Sequence, residues 1–177
     1  MMYELPDALV LAFYPMTRGF AYVLFEGPLS PYDWGVKEVR GKNKNGRIIK
    51  SLQSIIERCL PKLIVLEDWT DDYSRRAPRI KQLHEEIEKL AEQYAIPVAR
   101  YGAQEIKQAF ANVIPCTKYE IALNIAKHIP AFSFQVPPVR KIWMSEDPRQ
   151  ALYDAAALGV AWYHTMSNLP DHHLPVP

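Results

Sequence analysis

The chain has 177 residues, of which 49% are apolar and 23% charged, a balance that excludes a disordered or collagen-like polymer and fits one domain with a sizeable core. The formal net charge of +1 argues against a nonspecific coat for DNA and leaves room for a local basic patch. Glu4 and Asp7 precede the apolar run 8–13. That run is far short of the roughly 20 residues that cross a bilayer, so a cytoplasmic protein is expected.

Three strand-like runs come first, at 8–14, 20–26 and 33–40, broken by turn chemistry at 15–19 and 27–31. Such short connections predict an antiparallel meander. Ile48, Ile49, Leu52, Ile55, Ile56 and Cys59 then recur at helical spacing, giving an amphipathic helix over 46–60 that Pro61 closes. Leu63-Ile64-Val65-Leu66 is a continuous apolar run bounded by charge, as in a strand buried on both faces. Ile80, Leu83, Ile87, Leu90 and Tyr94 predict a helix over 77–95, followed by a strand at 96–101 and helices at 104–111 and 118–129. A connection containing Pro130, Pro137 and Pro138 leads to a last helix at 148–163, whose apolar stripe is Ala151, Leu152, Ala155, Leu158, Gly159 and Trp162. Residues 1–166 thus read as one domain and 167–177 as a Pro-rich, loose tail. Cys59 and Cys116 sit in apolar sequence without zinc-like spacing and are expected as buried, reduced thiols.

Three antiparallel strands followed by parallel βαβ units predict an α/β domain with one mixed sheet flanked by helices. Three motifs add to that order. The first is Tyr14-Pro15-Met16-Thr17-Arg18-Gly19-Phe20-Ala21-Tyr22, between two apolar strands. The second is Ile64-Val65-Leu66-Glu67, a buried strand ending in an acid. The third is Asp154-Ala155-Ala156-Ala157-Leu158, in the last helix, and Lys118 opens the helix before it. Over residues 8–164 this arrangement resembles the ribonuclease H-like superfamily, and within it the RuvC-type Holliday-junction resolvases. Family members carry an aspartate where this chain has Tyr14.

The resemblance implies divalent-metal-dependent hydrolysis of DNA, including branched DNA, by a homodimer. Acidic residues at these places hold two metals about 4 Å apart, one activating water and one stabilising the leaving oxygen. Oxygen donors suit Mg²⁺ or Mn²⁺. Glu67 and Asp154 are the candidate catalytic and metal-binding acids, with Asp68 as a spare ligand, since neighbouring strand residues face opposite ways. The plainer reading makes Glu67 and Asp68 the solvated end of a strand and Asp154 an exposed helix acid. Asp147-Pro148 reads as a helix cap with proline at the first helical position.

Tyr14 is the third candidate site residue. A phenol, with a pKa near about 10, is a poor anionic ligand at neutral pH. It can equally end a core strand or stack on a nucleotide. A recombinase-type tyrosine nucleophile would need an Arg/His constellation that the sequence does not place around it. Arg18, Lys42, Lys44, Arg47 and Lys118 are candidate nucleic-acid contacts, the middle three within a basic run with Lys37, Arg40 and Lys50. Arg75, Arg76, Arg79 and Lys81 form a second patch after Trp69 and Tyr73, for which a solvated surface is the plainer reading. His84, His128, His164, His172 and His173 share no site-like spacing. Three functions stay open: a nuclease with a depleted metal site, a catalytically inactive pseudo-enzyme that binds nucleic acid or protein, and a scaffold.

Overall fold

The computed structural model describes residues 8–70 and 77–168. The expectations for Glu4, Asp7, Tyr73, Arg75, Arg76, His172, His173 and residues 169–177 of the tail lie outside the described residues.

Strands β1 (Val10–Met16), β2 (Gly19–Gly27) and β3 (Ser30–Glu38) form the meander, and β4 (Leu63–Glu67) and β5 (Val98–Tyr101) add to it in the order β3-β2-β1-β4-β5. The pairs β1–β2 and β2–β3 are antiparallel, while β4 lies parallel to both β1 and β5. This is the mixed sheet expected from the sequence. Helices α1 (Lys44–Cys59) and α2 (Pro78–Gln93) follow β3 and β4 in the chain. Helices α3 (Ala103–Ala109), α4 (Lys118–His128) and α5 (Gln150–Ser167) follow β5.

The period of two along β1 sorts the core into two layers. Val10, Ala12 and Tyr14 pack with Phe25, Val65 and the apolar residues of α4 and α5. Leu11 and Phe13 point the other way, onto Ile48, Leu52, Ile56, Leu83 and Ile87 of α1 and α2. Ile64 and Leu66 join that second layer while Val65 joins the first, so β4 is buried on both faces as its unbroken apolar run predicts.

Several boundaries differ from expectation. The turn between β2 and β3 is tighter than 27–31, because Gly27 pairs with Ser30 and Leu29 takes φ 56. The third strand therefore starts at Ser30. The connection after α4 holds a 3-10 turn, Pro130–Gln135, with Phe132 buried. The last helix begins at Gln150 and runs on to Ser167, beyond the expected 163. The expected stripe on α5 is too narrow, since Tyr153, Ala156, Ala157 and Ala161 are buried as well. Small side chains let the sheet come close beneath this helix while α3 and α4 pack against it. A Cβ at Gly159 would stand 2.2 Å from the Phe25 ring, so only glycine fits there. Cys59 and Cys116 are free but half-buried, not enclosed as expected. Among the described residues no helix is long and apolar enough to cross a membrane.

Candidate functional site

The parallel register of β1 and β4 builds the site. Ala12 pairs with Val65, and carrying that register two residues onward sets Tyr14 beside Glu67 on the layer that α5 covers. Both residues stand at the carboxyl ends of their strands, where open α/β sheets form ligand crevices. Tyr14, Glu67, Lys118 and Asp154 line one cavity of about 250 Å³, whose apolar wall includes Ile106 and Leu158. An adjoining cavity of about 220 Å³ shares Tyr14 and Asp154 and adds Arg18, Glu146 and Asp147. The three motifs noted in the sequence therefore meet at one place.

Asp154 is held rather than loose. Its side chain is only 13% exposed, and it accepts hydrogen bonds from Lys118 Nζ at 3.2 Å and Gln150 Nε2 at 3.2 Å. Burial raises its pKa above the ordinary aspartate value, with Lys118 and Gln150 pulling partly the other way. Lys118 also donates to Glu146 Oε1 at 2.9 Å. Burial works against the ammonium, but Asp154, Tyr14 and Glu146 outweigh it and hold the lysine above its ordinary pKa. Lys118 is placed by the start of α4, where Thr117 Oγ1 accepts from Glu120 N at 3.2 Å and caps the helix.

The turn after Tyr14 is fixed by its neighbours. Gly19 has φ 151, and a Cβ there would lie 1.9 Å from the Lys37 carbonyl oxygen, so the position requires glycine. Arg79 Nη2 donates to the Thr17 carbonyl at 2.9 Å and Nη1 to Asn45 Oδ1 at 2.7 Å, while Lys44 Nζ reaches the Thr17 carbonyl at 3.5 Å. Arg79, expected within a basic patch, thus ties α1 and α2 to the β1–β2 turn. Arg47 donates to the Arg40 carbonyl, and Arg40 pairs with Glu38. Arg18 and Lys42 are exposed.

Two further acids are engaged by their own neighbours. Asp68, expected as a spare metal ligand, accepts from Thr70 N at 3.0 Å and Thr70 Oγ1 at 2.6 Å. Those bonds hold its carboxyl below the ordinary range. Asp147 accepts from Arg149 N at 2.9 Å and pairs with the Arg149 guanidinium, which lowers its pKa. Asp147 therefore does not cap α5 as expected, because the helix starts at Gln150 after Arg149 and Pro148 lies in the tight turn that Asp147 closes. Trp69 is half-buried with its ring 6.3 Å from that of His84. Sequence reasoning missed Glu146 and Gln150. Gln150 carried a signal, since it lies four residues before Asp154 on one helix face. Glu146 carried none, because it lies in an irregular loop.

The donor set does not fit a two-metal centre. Among the described residues no group of three His, Cys, Asp or Glu could hold a metal ion. Tyr14 brings a phenol where a bridging carboxylate would be needed, and Asp154 is already bonded to an ammonium.

A five-stranded sheet in the order β3-β2-β1-β4-β5, with its polar cleft at the ends of β1 and β4, is the ribonuclease H fold in its RuvC-like form. Two solved structures of Thermus thermophilus RuvC are similar to it. The one in complex with a Holliday junction substrate has a TM-score of 0.64 and 16% identity, with 90% of this chain and 96% of that chain covered. The other has a TM-score of 0.63 and 20% identity over the same shares, 90% and 96%. The yeast mitochondrial Holliday junction resolvase Ydc2 is similar at TM-score 0.57 and 14% identity, covering 92% of this chain and 80% of that one. No family model and no curated protein matches the sequence.

Proposed function

We propose that the protein binds branched DNA across this cleft and, with the side chains it has, does not cut it. The observation that supports this reading is the meeting of Tyr14, Glu67, Lys118 and Asp154 around one cavity, with exposed Arg18 on the adjoining one. Exposed Arg18 supplies positive charge for a phosphodiester, while the Lys118 ammonium is shared with Asp154 and Glu146. The Tyr14 phenol lines the same cavity in place of a carboxylate. The likeness to a RuvC solved on a Holliday junction substrate supports a junction as the ligand. Two copies meeting on one four-way junction belong to the same proposal, and sedimentation with and without the junction tests them.

A second reading, metal-dependent hydrolysis with Mg²⁺ or Mn²⁺, is favoured by Glu67 and Asp154 facing the same cavity. One experiment separates the two. The wild type is incubated with a labelled four-way junction at low salt, with Mg²⁺ or Mn²⁺, and both mobility and strand lengths are followed. The expected result is a retarded, uncut junction, with Mn²⁺-dependent cutting appearing in Tyr14→Asp and disappearing again on adding Glu67→Gln. Cutting by the wild type that Glu67→Gln abolishes would establish hydrolysis instead. No retardation at all would reject both readings and leave the scaffold.

A further inference from the structure

The connection between α4 and α5 ends in a feature that the cleft does not use. Met144 N donates to the Lys141 carbonyl at 2.9 Å, closing a four-residue turn with Ile142 and Trp143 at its tip. Arg140 Nε donates to the Met144 carbonyl at 2.7 Å and braces the same turn from the side. Ile142 is 99% exposed and Trp143 79% exposed, so a braced turn presents two large apolar side chains to solvent. Lys141 Nζ lies 5.3 Å from the centre of the Trp143 ring. The segment 136–144 carries two cations, Arg140 and Lys141, and no acid.

This tip is continuous with the site. A groove of about 360 Å³ is lined by Arg18, Lys118, Arg140 and Met144 together with the acids Glu146 and Asp147. Arg18 and Arg140 thus share one groove with the cleft, and Arg140 also braces the turn that carries the exposed indole. An indole with flanking cations stacks on an unpaired base while the cations hold its phosphates. Apolar side chains beside it can enter a base step and hold it open.

We propose that the turn 141–144 is a base-stacking wedge that engages unpaired bases at the branch point of DNA bound in the cleft. It rests on the DNA-binding reading of that cleft. Positive charge around the indole and continuity with the site favour nucleic acid over a second copy of the chain or another protein. Exposure at the tip means that Trp143→Ala removes the ring without opening the core.

The test uses the full chain and a four-way junction with 2-aminopurine at the branch, beside a perfect duplex of the same sequence. The wild type is expected to change the 2-aminopurine fluorescence on binding. Trp143→Ala should lose that change and bind the junction about tenfold more weakly, the scale of one lost base stack. Its duplex affinity should stay within about twofold, and Trp143→Phe should keep most of both signals. Unchanged junction affinity and fluorescence in Trp143→Ala would overturn the wedge while leaving DNA binding intact. A wild type that binds neither DNA would overturn the reading of the cleft and the wedge with it. A loss of affinity accompanied by conversion of a dimer to monomer would make the turn a protein interface and overturn the wedge.

Discussion

Lys118 is the residue on which the charge of the cleft turns. It bonds two acids, Asp154 and Glu146, and stands near the Tyr14 phenol. Because burial raises the Asp154 pKa above 3.8, the fold favours the neutral acid. That contribution to stability is fully present below 3.8 and is lost as pH rises through the folded pKa, where ionisation sets in. Lys118 offsets the cost of the ionised form. Removing it in Lys118→Met should therefore destabilise the protein at pH 7 by about 1–2 kcal/mol, below the figure for a fully buried pair because the lysine side chain is 56% exposed. The deficit should shrink as pH falls toward 3.8, since a protonated Asp154 needs no partner. Urea unfolding of both proteins across that range measures it, and a pH-independent deficit would show that Lys118 acts through packing alone.

The elements of the sheet could be read from the chain because each carries a simple period. The alternation of Val10, Ala12 and Tyr14 against Leu11 and Phe13 divides the two layers, and the unbroken run at Leu63–Leu66 marks a central strand. The site was legible where a strand or helix carried it, at Tyr14, Glu67, Lys118 and Asp154. It was not legible at Glu146, whose position depends on where an irregular loop returns to α4. Helix α5 was misjudged for a physical reason: alanine and glycine give little apolar signal in a sequence, yet they permit the closest packing. Gly159 tests that point. Its replacement by alanine drives a methyl group into the Phe25 ring, so Gly159→Ala should cost about 1–3 kcal/mol despite alanine's better helix propensity. Thermal unfolding reads the loss, and a stabilised variant would mean that α5 can move off the sheet without cost.

Across the whole molecule, a net charge of +1 hides an uneven use of cations. Lys44, Arg47 and Arg79 serve the fold, bonding backbone carbonyls and Asn45, while Arg18 and Lys42 remain exposed. Salt dependence should separate these classes. The pair Arg18→Ala and Lys42→Ala should flatten the logarithmic dependence of DNA affinity on salt by about 1–2, close to one unit for each lost phosphate contact. Arg79→Ala should instead lower the melting temperature. An unchanged slope in the double variant would place the DNA path away from the β1–β2 turn.

The central position of β1 has a consequence for how such a chain can change over generations. Antiparallel pairing with β2 on one edge and parallel pairing with β4 on the other fix its register twice. A slip of a single residue would exchange the two core layers along its whole length. The location of residue 14 is therefore fixed by the fold, whatever side chain stands there. A substitution at residue 14 can thus change the chemistry offered to the cleft without moving the position from which it acts.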